Sequence, residues 1–339
     1  MIRKYFRMVP HWPQLPRRGF AENFVFQFLH FLLELGILEK TGERACFNTA
    51  HPAWPDRLTQ FYSIYFAADE GEPDALARFA SPRDAAPGLY TFLDSIERSG
   101  PGEIKYLKGH LVGPFTAGFQ LMDELGRQAY YQEQLRDLIV KTLAMHARWQ
   151  AATLSGLGRP ALIFIDDPCI SLCGSCYHVT LTRQMIIEDL NAIFSAVHSE
   201  NAIGGVHSCN AADWSLLFEA DLEIVAMDAY RFGESLVCYA AQMEQFLNRG
   251  GIMAWGIVPT TEKAFEEDAE ALIKRLEALW RELTCCGVDG KKLLAQSMVT
   301  PACGAGLLSC ELAEKIYRLT DEVSAGIQSL VYGKDQPVA

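Results

Sequence analysis

The chain has 339 residues, half of them hydrophobic, which is enough to bury a large core. Its formal net charge of −12 argues against nucleic acid as a partner, because surfaces that bind nucleic acid are basic. Residues 24–38 are the most apolar stretch, but Gln27, His30 and Glu34 interrupt them, so no membrane helix is predicted. The charged start, residues 1–5, lacks the apolar run and cleavage site of a signal peptide. We therefore expect a soluble, cytoplasmic protein.

The ten cysteines are too sparse for a disulfide scaffold in a chain of this length. In a reducing compartment, cysteines at this density indicate metal or thiol chemistry.

Short apolar runs alternate with longer segments of helical periodicity along most of the chain. Residues 36–102 are less regular and rich in Pro and Gly, which is typical of an insertion. The strong alternation elsewhere predicts parallel strands joined by helices. Seven strands are predicted, at residues 6–15, 104–112, 161–165, 202–207, 222–227, 252–257 and 293–299. Helices are predicted at residues 20–35, 55–66, 89–98, 130–154, 182–199, 235–248, 262–283 and 310–331.

This pattern predicts an α/β fold, a single (β/α)8 TIM-type barrel over residues 1–339 with an insertion-like region at about 36–102. A closed barrel needs eight strands and seven are predicted. Either one strand lies within residues 36–47, or the first strand is absent or modified. In the second case an unpaired strand edge near residues 6–15 would need cover from residues 36–50 or from a homodimer contact.

Chemically distinctive side chains fall at the predicted carboxyl ends of these strands, where barrel enzymes carry their active sites. One strand ends near His110, and the next ends in two acids, Asp166 and Asp167. His207, Cys209, Asp228 and Cys303 end three more.

His207 and Cys209 are two residues apart, so in an extended strand their side chains point to the same face. Cys303 follows another apolar run, at residues 293–299. Zinc accepts this mixture of nitrogen and sulfur ligands. The alternative that spacing alone leaves open is a core histidine beside two buried thiols.

Several of these motifs resemble one known family. Residues 164–168, Phe-Ile-Asp-Asp-Pro, are similar to the Ile-Asp-Glu-Pro of the C-terminal catalytic barrel of cobalamin-independent methionine synthase. His207-Ser208-Cys209 and Pro301-Ala302-Cys303-Gly304 resemble its zinc ligands. Residues 108–116 resemble a Gly-Pro motif shared with uroporphyrinogen decarboxylases and methylcobamide:coenzyme M methyltransferases. The resemblance runs from about Lys108 to the C-terminus.

The resemblance implies a TIM barrel with zinc held by His207, Cys209 and Cys303. Asp228 takes the place of the family's fourth ligand, a glutamate, with Glu234 as a second choice. A terminal cap or a solvated acid is the alternative for Asp228. Zinc would then hold a homocysteine-like thiol as a thiolate ready to accept a methyl group.

The resemblance also assigns Asp166 to the amino group of the acceptor. Asp167 either helps to bind substrate or shapes the turn before Pro168. His110 is a candidate proton shuttle, with packing inside the barrel as the alternative.

Two departures bear on the substrates. No Gly-Ser-Phe-Pro-like segment, which contacts the amino acid in the family, precedes Pro10. The folate-binding half of the large enzymes has no counterpart in this sequence. The first difference weakens the case for homocysteine itself as the acceptor. The second argues against methyltetrahydrofolate as the donor and leaves a methyl-corrinoid, carried by a corrinoid protein, as the alternative donor.

Three other interpretations remain open at this stage. Cys169, Cys173 and Cys176 have the spacing of radical enzymes that hold a four-iron cluster, although the aromatic residue expected before the last cysteine is Ser175. A uroporphyrinogen decarboxylase-like enzyme would act on a tetrapyrrole without a metal. A non-catalytic zinc- or corrinoid-binding protein would carry out no transfer.

Overall fold

The computed structural model describes residues 1–42, 44–173 and 181–332. The fold is mixed α/β, and the chain divides into two compact units, Met8–Gly204 and the pair Met1–Arg7 with Gly205–Ala339. The strands are β1 Leu38–Thr41, β2 Arg44–Phe47, β3 Leu107–Val112, β4 Met122–Asp123, β5 Ala161–Asp166, β6 Ile203–Ser208, β7 Ile224–Met227, β8 Ile252–Val258 and β9 Ser297–Pro301. The α-helices are α1 Ile2–Tyr5, α2 His30–Glu34, α3 Trp54–Asp69, α4 Pro73–Ala77, α5 Pro87–Ser99, α6 Pro114–Gln120, α7 Glu133–Ser155, α8 Arg183–His198, α9 Trp214–Glu219, α10 Ala229–Phe232, α11 Ala240–Asn248, α12 Ala269–Cys285, α13 Gly290–Ala295 and α14 Cys310–Tyr332.

In the Met8–Gly204 unit, β3 and β5 form a parallel pair in register from Leu107↔Ala161 to Val112↔Asp166. Apart from the Asp166 at its end, β5 is apolar and buried, as expected for a parallel strand covered on both faces. A Cβ on Gly109 would lie 2.6 Å from Gln150 Oε1, so this residue faces helix α7. Because side chains alternate along a strand, Lys108 and His110 point to the opposite face.

A second, smaller sheet lies in the same unit. Strands β1 and β2 form an antiparallel hairpin, and β2 pairs with β4 in parallel. Residues 36–47 therefore do not supply the missing strand of the β3–β5 sheet. The remainder of the irregular region forms helices α3, α4 and α5.

The strand predicted at residues 6–15 is not formed. Only one bridge is present there, between His11 and Lys108, and the backbone of Lys108 donates to the carbonyl of Pro10 at 3.0 Å. Prolines at positions 10, 13 and 16 have no backbone N–H to donate, so the segment cannot sustain a ladder.

The helix predicted at residues 20–35 is also largely replaced. Two short 3₁₀ turns, Phe20–Glu22 and Phe26–Phe28, precede the five-residue helix α2. Between the turns, Asn23 Oδ1 accepts from the backbone of Val25 at 2.9 Å. Such local side-chain bonds compete with the helix, which explains its late start.

In the other unit, the strands β6, β7, β8 and β9 pair in parallel in that order. Each of these strands except β9 is mostly buried and apolar. Helix α12 begins where the carboxylate of Asp268 accepts from the backbone of Ala271 at 2.8 Å. The short helix α1 contacts α14, where Glu314 accepts from both Lys4 and Tyr5.

The last strand begins later than the sequence predicts. Residues 290–295 form helix α13, and β9 covers Ser297–Pro301. The carboxylate of Asp289 accepts from the backbone of Lys291 at 2.8 Å, so a cap holds the apolar residues Leu293 and Leu294 in a helix. Within the described residues, no helix is both long and apolar enough to cross a membrane.

Candidate metal centre

Two parallel strands of one unit place the three predicted ligands. His207 lies in β6, and Cys209 follows directly after that strand. Cys303 lies two residues beyond the end of β9. In parallel strands the carboxyl ends meet at one edge of the sheet, so residues distant in sequence come together there.

The side chains of His207, Cys209 and Cys303 converge. The imidazole nitrogen and the two sulfur atoms all lie within 4.8 Å of one another. His207 and Cys209 are half-buried and Cys303 is exposed, so the cluster is reachable from solvent. One nitrogen and two sulfurs form a donor set that suits zinc and leaves one tetrahedral position for another ligand.

The two thiols influence each other strongly. The hydrogen bond between Cys303 and Cys209 raises the pKa of Cys303 to about 12. Although the residue as a whole is exposed, desolvation of its thiol adds to the shift, while His207 opposes it. Two adjacent thiolates repel, so a proton is retained between them unless a cation is bound. A divalent cation reverses this balance and favours both thiolates.

Asp228, the predicted fourth ligand, is engaged elsewhere. It is 2% exposed and lies just before helix α10, where Oδ1 accepts from the backbone of Arg231 at 2.9 Å. Its other oxygen, Oδ2, accepts from Arg231 Nε at 2.6 Å. The structure therefore gives Asp228 the capping position, and the His207, Cys209 and Cys303 cluster does not include it. Glu234, the second choice, is likewise outside that cluster.

Arg231 is a residue of this site that the sequence did not reveal. Its Nη2 donates to the carbonyl of Cys209 at 3.3 Å, and its guanidinium lies 5.0 Å from the centre of the Phe232 ring. The bond to Asp228 raises the pKa of Arg231, and the sulfurs of Cys209 and Cys303 contribute in the same direction. The only signal in the sequence is an acid followed three residues later by a base, which is common at helix starts.

The other unit contains the second group of predicted site residues. Asp167 is fully buried, and its carboxylate accepts from the backbones of Phe115 and Thr116 at 2.9 and 3.0 Å and from the Thr116 hydroxyl at 2.6 Å. Burial raises the pKa of Asp167 to about 7, although these hydrogen bonds oppose the shift. The carboxylate thus fixes the start of helix α6, a structural role at a different place from the turn before Pro168.

Asp166 lies at the end of β5 and is half-buried. Its charge acts on Lys108, whose ammonium lies 4.5 Å from the centre of the Phe164 ring. Burial lowers the pKa of Lys108, and Asp166 opposes that effect. An acid, an amine and an aromatic face therefore lie near one another in the Met8–Gly204 unit.

His110 is packed among aromatic rings. It stacks on Trp12 with ring centres 4.0 Å apart, and Phe28 meets it edge-on at 6.3 Å. Burial lowers the pKa of His110 well below its usual range, so the ring is neutral near pH 7. Gln150 links the residues of this cluster through two hydrogen bonds. Its side-chain oxygen accepts from Trp12 Nε1, and its side-chain nitrogen donates to the backbone carbonyl of His110.

The cysteine motif at residues 169–176 is only partly described. Within the part of the chain that the structure describes, neither Cys169 nor Cys173 forms a disulfide, and Cys176 lies outside the described residues. Cys169 donates its backbone N–H to the Thr116 hydroxyl at 3.2 Å.

Comparison with protein-family models and with curated proteins finds no match for this chain.

Proposed function

We propose that this protein is a zinc-dependent methyltransferase that moves a methyl group to a thiol. The observation that carries the proposal is the convergence of His207, Cys209 and Cys303 within 4.8 Å at the ends of β6 and β9. Zinc bound there would hold the acceptor sulfur as a thiolate at neutral pH. The resemblance to methionine synthase supports a homocysteine-like acceptor.

The chain's own residues would prepare the site in three ways. His207 and the two cysteines supply three ligands and leave the remaining position to the acceptor sulfur. Arg231, held by Asp228, places a positive charge beside the two thiols, which favours their deprotonation. The exposed side of Cys303 gives the acceptor a route of entry.

The transfer itself is a displacement at carbon. A lone pair of the acceptor sulfur attacks the methyl carbon and forms the new C–S bond. A methyl-corrinoid donor would supply the methyl group, and its cobalt would keep both electrons of the carbon–cobalt bond. No proton would need to move in this step, because the acceptor thiol would already have released its proton to solvent on binding at the metal site.

The proposal has two further parts. The parallel strands β3 with β5 and β6 to β9, joined by helices, support assignment to the (β/α)8 barrel class. A metal centre with two cysteine ligands requires reduced cysteines, which supports a cytoplasmic location, where cysteines are kept reduced.

Two measurements test the function. Metal analysis of protein purified under reducing conditions without chelator should find about one zinc per chain. Methyl transfer from methylcobalamin to homocysteine should then follow, with 2-mercaptoethanesulfonate as a parallel acceptor and methyltetrahydrofolate as a comparison donor.

The results separate the competing interpretations. Bound zinc distinguishes the proposal from a decarboxylase-like enzyme, and methyl transfer distinguishes it from a non-catalytic binding protein. Full activity in zinc-free protein would contradict the mechanism.

A further inference from the structure

The guanidinium of Arg231 is fixed beside the candidate metal centre. Asp228, which is almost fully buried, accepts from both the backbone N–H and Nε of Arg231, at 2.9 and 2.6 Å. The carbonyl of Cys209 accepts from Nη2 at 3.3 Å. A long, flexible side chain is thereby held in one place, with its position set by a ligand residue and by a buried acid.

Arg231 retains hydrogen-bonding capacity. A guanidinium has five N–H donors in a planar fork. Among the described residues, Asp228 takes the Nε donor and the Cys209 carbonyl takes one donor of Nη2. The remaining donors belong to the outer nitrogens, and the side chain is 56% exposed, so a molecule from solvent can reach them.

We propose that Arg231 is a specificity-determining residue that binds an acidic group of the acceptor thiol, a carboxylate or sulfonate near its sulfur. This inference rests on the proposed function and adds to it a residue outside the three ligands. A guanidinium fork matches the two oxygens of such a group and forms charge-assisted bonds with them. Asp228 acts as a positioning residue, because it holds Arg231 rather than touching the substrate.

Arg231 has a second possible effect, which the experiment must separate from the first. Its charge acts on the sulfurs of Cys209 and Cys303, so removing it would weaken binding of every thiol through the metal site. Recognition of an acidic group would instead weaken binding of acidic thiols alone. A matched pair of thiols that differ only in charge distinguishes the two effects.

The test is isothermal titration of the zinc-loaded protein with 3-mercaptopropionate and with its neutral amide, 3-mercaptopropionamide. A parallel series uses 2-mercaptoethanesulfonate and 2-mercaptoethanol, which distinguishes a sulfonate from a carboxylate. The quantity compared is the ratio of acidic to neutral affinity in each protein, which cancels differences in intrinsic thiol acidity between the two ligands.

Arg231→Gln should lower this ratio by about fivefold or more, the gain expected of a well-aligned but accessible arginine–oxyanion pair. Arg231→Lys, which keeps the positive charge, should retain part of the preference for the acidic thiol. The control is Arg318→Gln, because Arg318 has a nearly equal exposure of 57% but lies on helix α14 and pairs with Glu322. Its ratio should equal that of the wild type.

An unchanged ratio in Arg231→Gln would overturn the inference, as would an equal loss for the acidic and the neutral thiol. Failure of the wild-type zinc protein to bind either thiol would instead refute the proposed function, so the two failures are distinguishable. Zinc content measured in each variant shows whether the metal site itself is intact.

Discussion

The carboxylate of Asp167 fills the space beside the backbone of Gly113: its Oδ2 lies 2.1 Å from the position that a Cβ on Gly113 would take. This close approach lets the carboxylate reach the backbone N–H groups of Phe115 and Thr116. The Gly-Pro motif at the end of β3 is thus explained physically. Because Gly113 has no side chain, there is room for the carboxylate of Asp167. Pro114 can begin helix α6 because the first helical residue needs no backbone N–H donor.

Gly113→Ala should therefore destabilise the protein, by about 1 to 3 kcal/mol, because the added methyl group collides with a fully buried carboxylate. The measurement is the free energy of unfolding from urea denaturation, with chelator present to remove any contribution from metal. Gly304→Ala is the matched control, since a Cβ there would meet no atom within 4 Å. Equal stability of the two variants would contradict the packing argument.

Because the pKa of Asp167 is raised in the folded protein, the stability of the fold should decrease as the pH rises. In an unfolded chain the pKa of an aspartate is about 3.9, whereas burial raises that of Asp167 to about 7 in the folded protein. The folded state therefore binds this proton more tightly. The resulting stability is fully present below pH ~4 and is lost as the pH rises through about 7.

Asp167→Asn cannot titrate at this position, so it serves as the reference. The wild type should lose about 2 to 3 kcal/mol of unfolding free energy relative to Asp167→Asn between pH 5 and pH 8. Urea denaturation of both proteins at the two pH values measures this difference. A difference that does not change with pH, or that changes with the opposite sign, would refute the protonation of Asp167.

The thiols of the metal centre should be essential to zinc binding. Cys209→Ser and Cys303→Ser should each lower zinc affinity by more than about 100-fold, because losing even an outer partner of a ligand costs about 10- to 100-fold. Competition with a chromophoric chelator measures the affinity, and methyl transfer should disappear in parallel. Cys238→Ser, which changes an exposed cysteine of the same unit, should keep both properties. Wild-type zinc affinity in the Cys209 and Cys303 variants would exclude the centre.

Substitution of Asp228 tests whether this residue is a zinc ligand or a residue that positions Arg231. If it positions Arg231, Asp228→Asn should keep zinc affinity within about threefold of the wild type and should lower the preference for acidic thiols, because the charged bond that holds Nε is lost. If it is a ligand, zinc affinity should fall as far as in the cysteine variants. The chelator competition and the paired thiol titrations together decide between these outcomes.

The sequence was most informative about features that depend only on residues close together in the chain. The two-residue spacing of His207 and Cys209 required only an extended backbone to put both side chains on one face. The apolar runs of β5, β7 and β8 predicted buried parallel strands, and the run before Cys303 correctly indicated a strand ending near that residue. The prolines at positions 10, 13 and 16 were equally visible, yet the strand predicted there was wrong because they remove the donors that a ladder needs.

Only the tertiary structure decided how the acids are used. Asp228 is chemically able to bind a metal, cap a helix or hold an arginine, and the choice depends on where Arg231 lies after α10 has formed. The role of Asp167 is likewise determined by the pairing of β3 with β5, which places Gly113 next to its carboxylate. A carboxylate binds whichever donors the folded chain presents within about 3 Å, and those donors come from elements whose spacing along the chain carries no information about their distance in space.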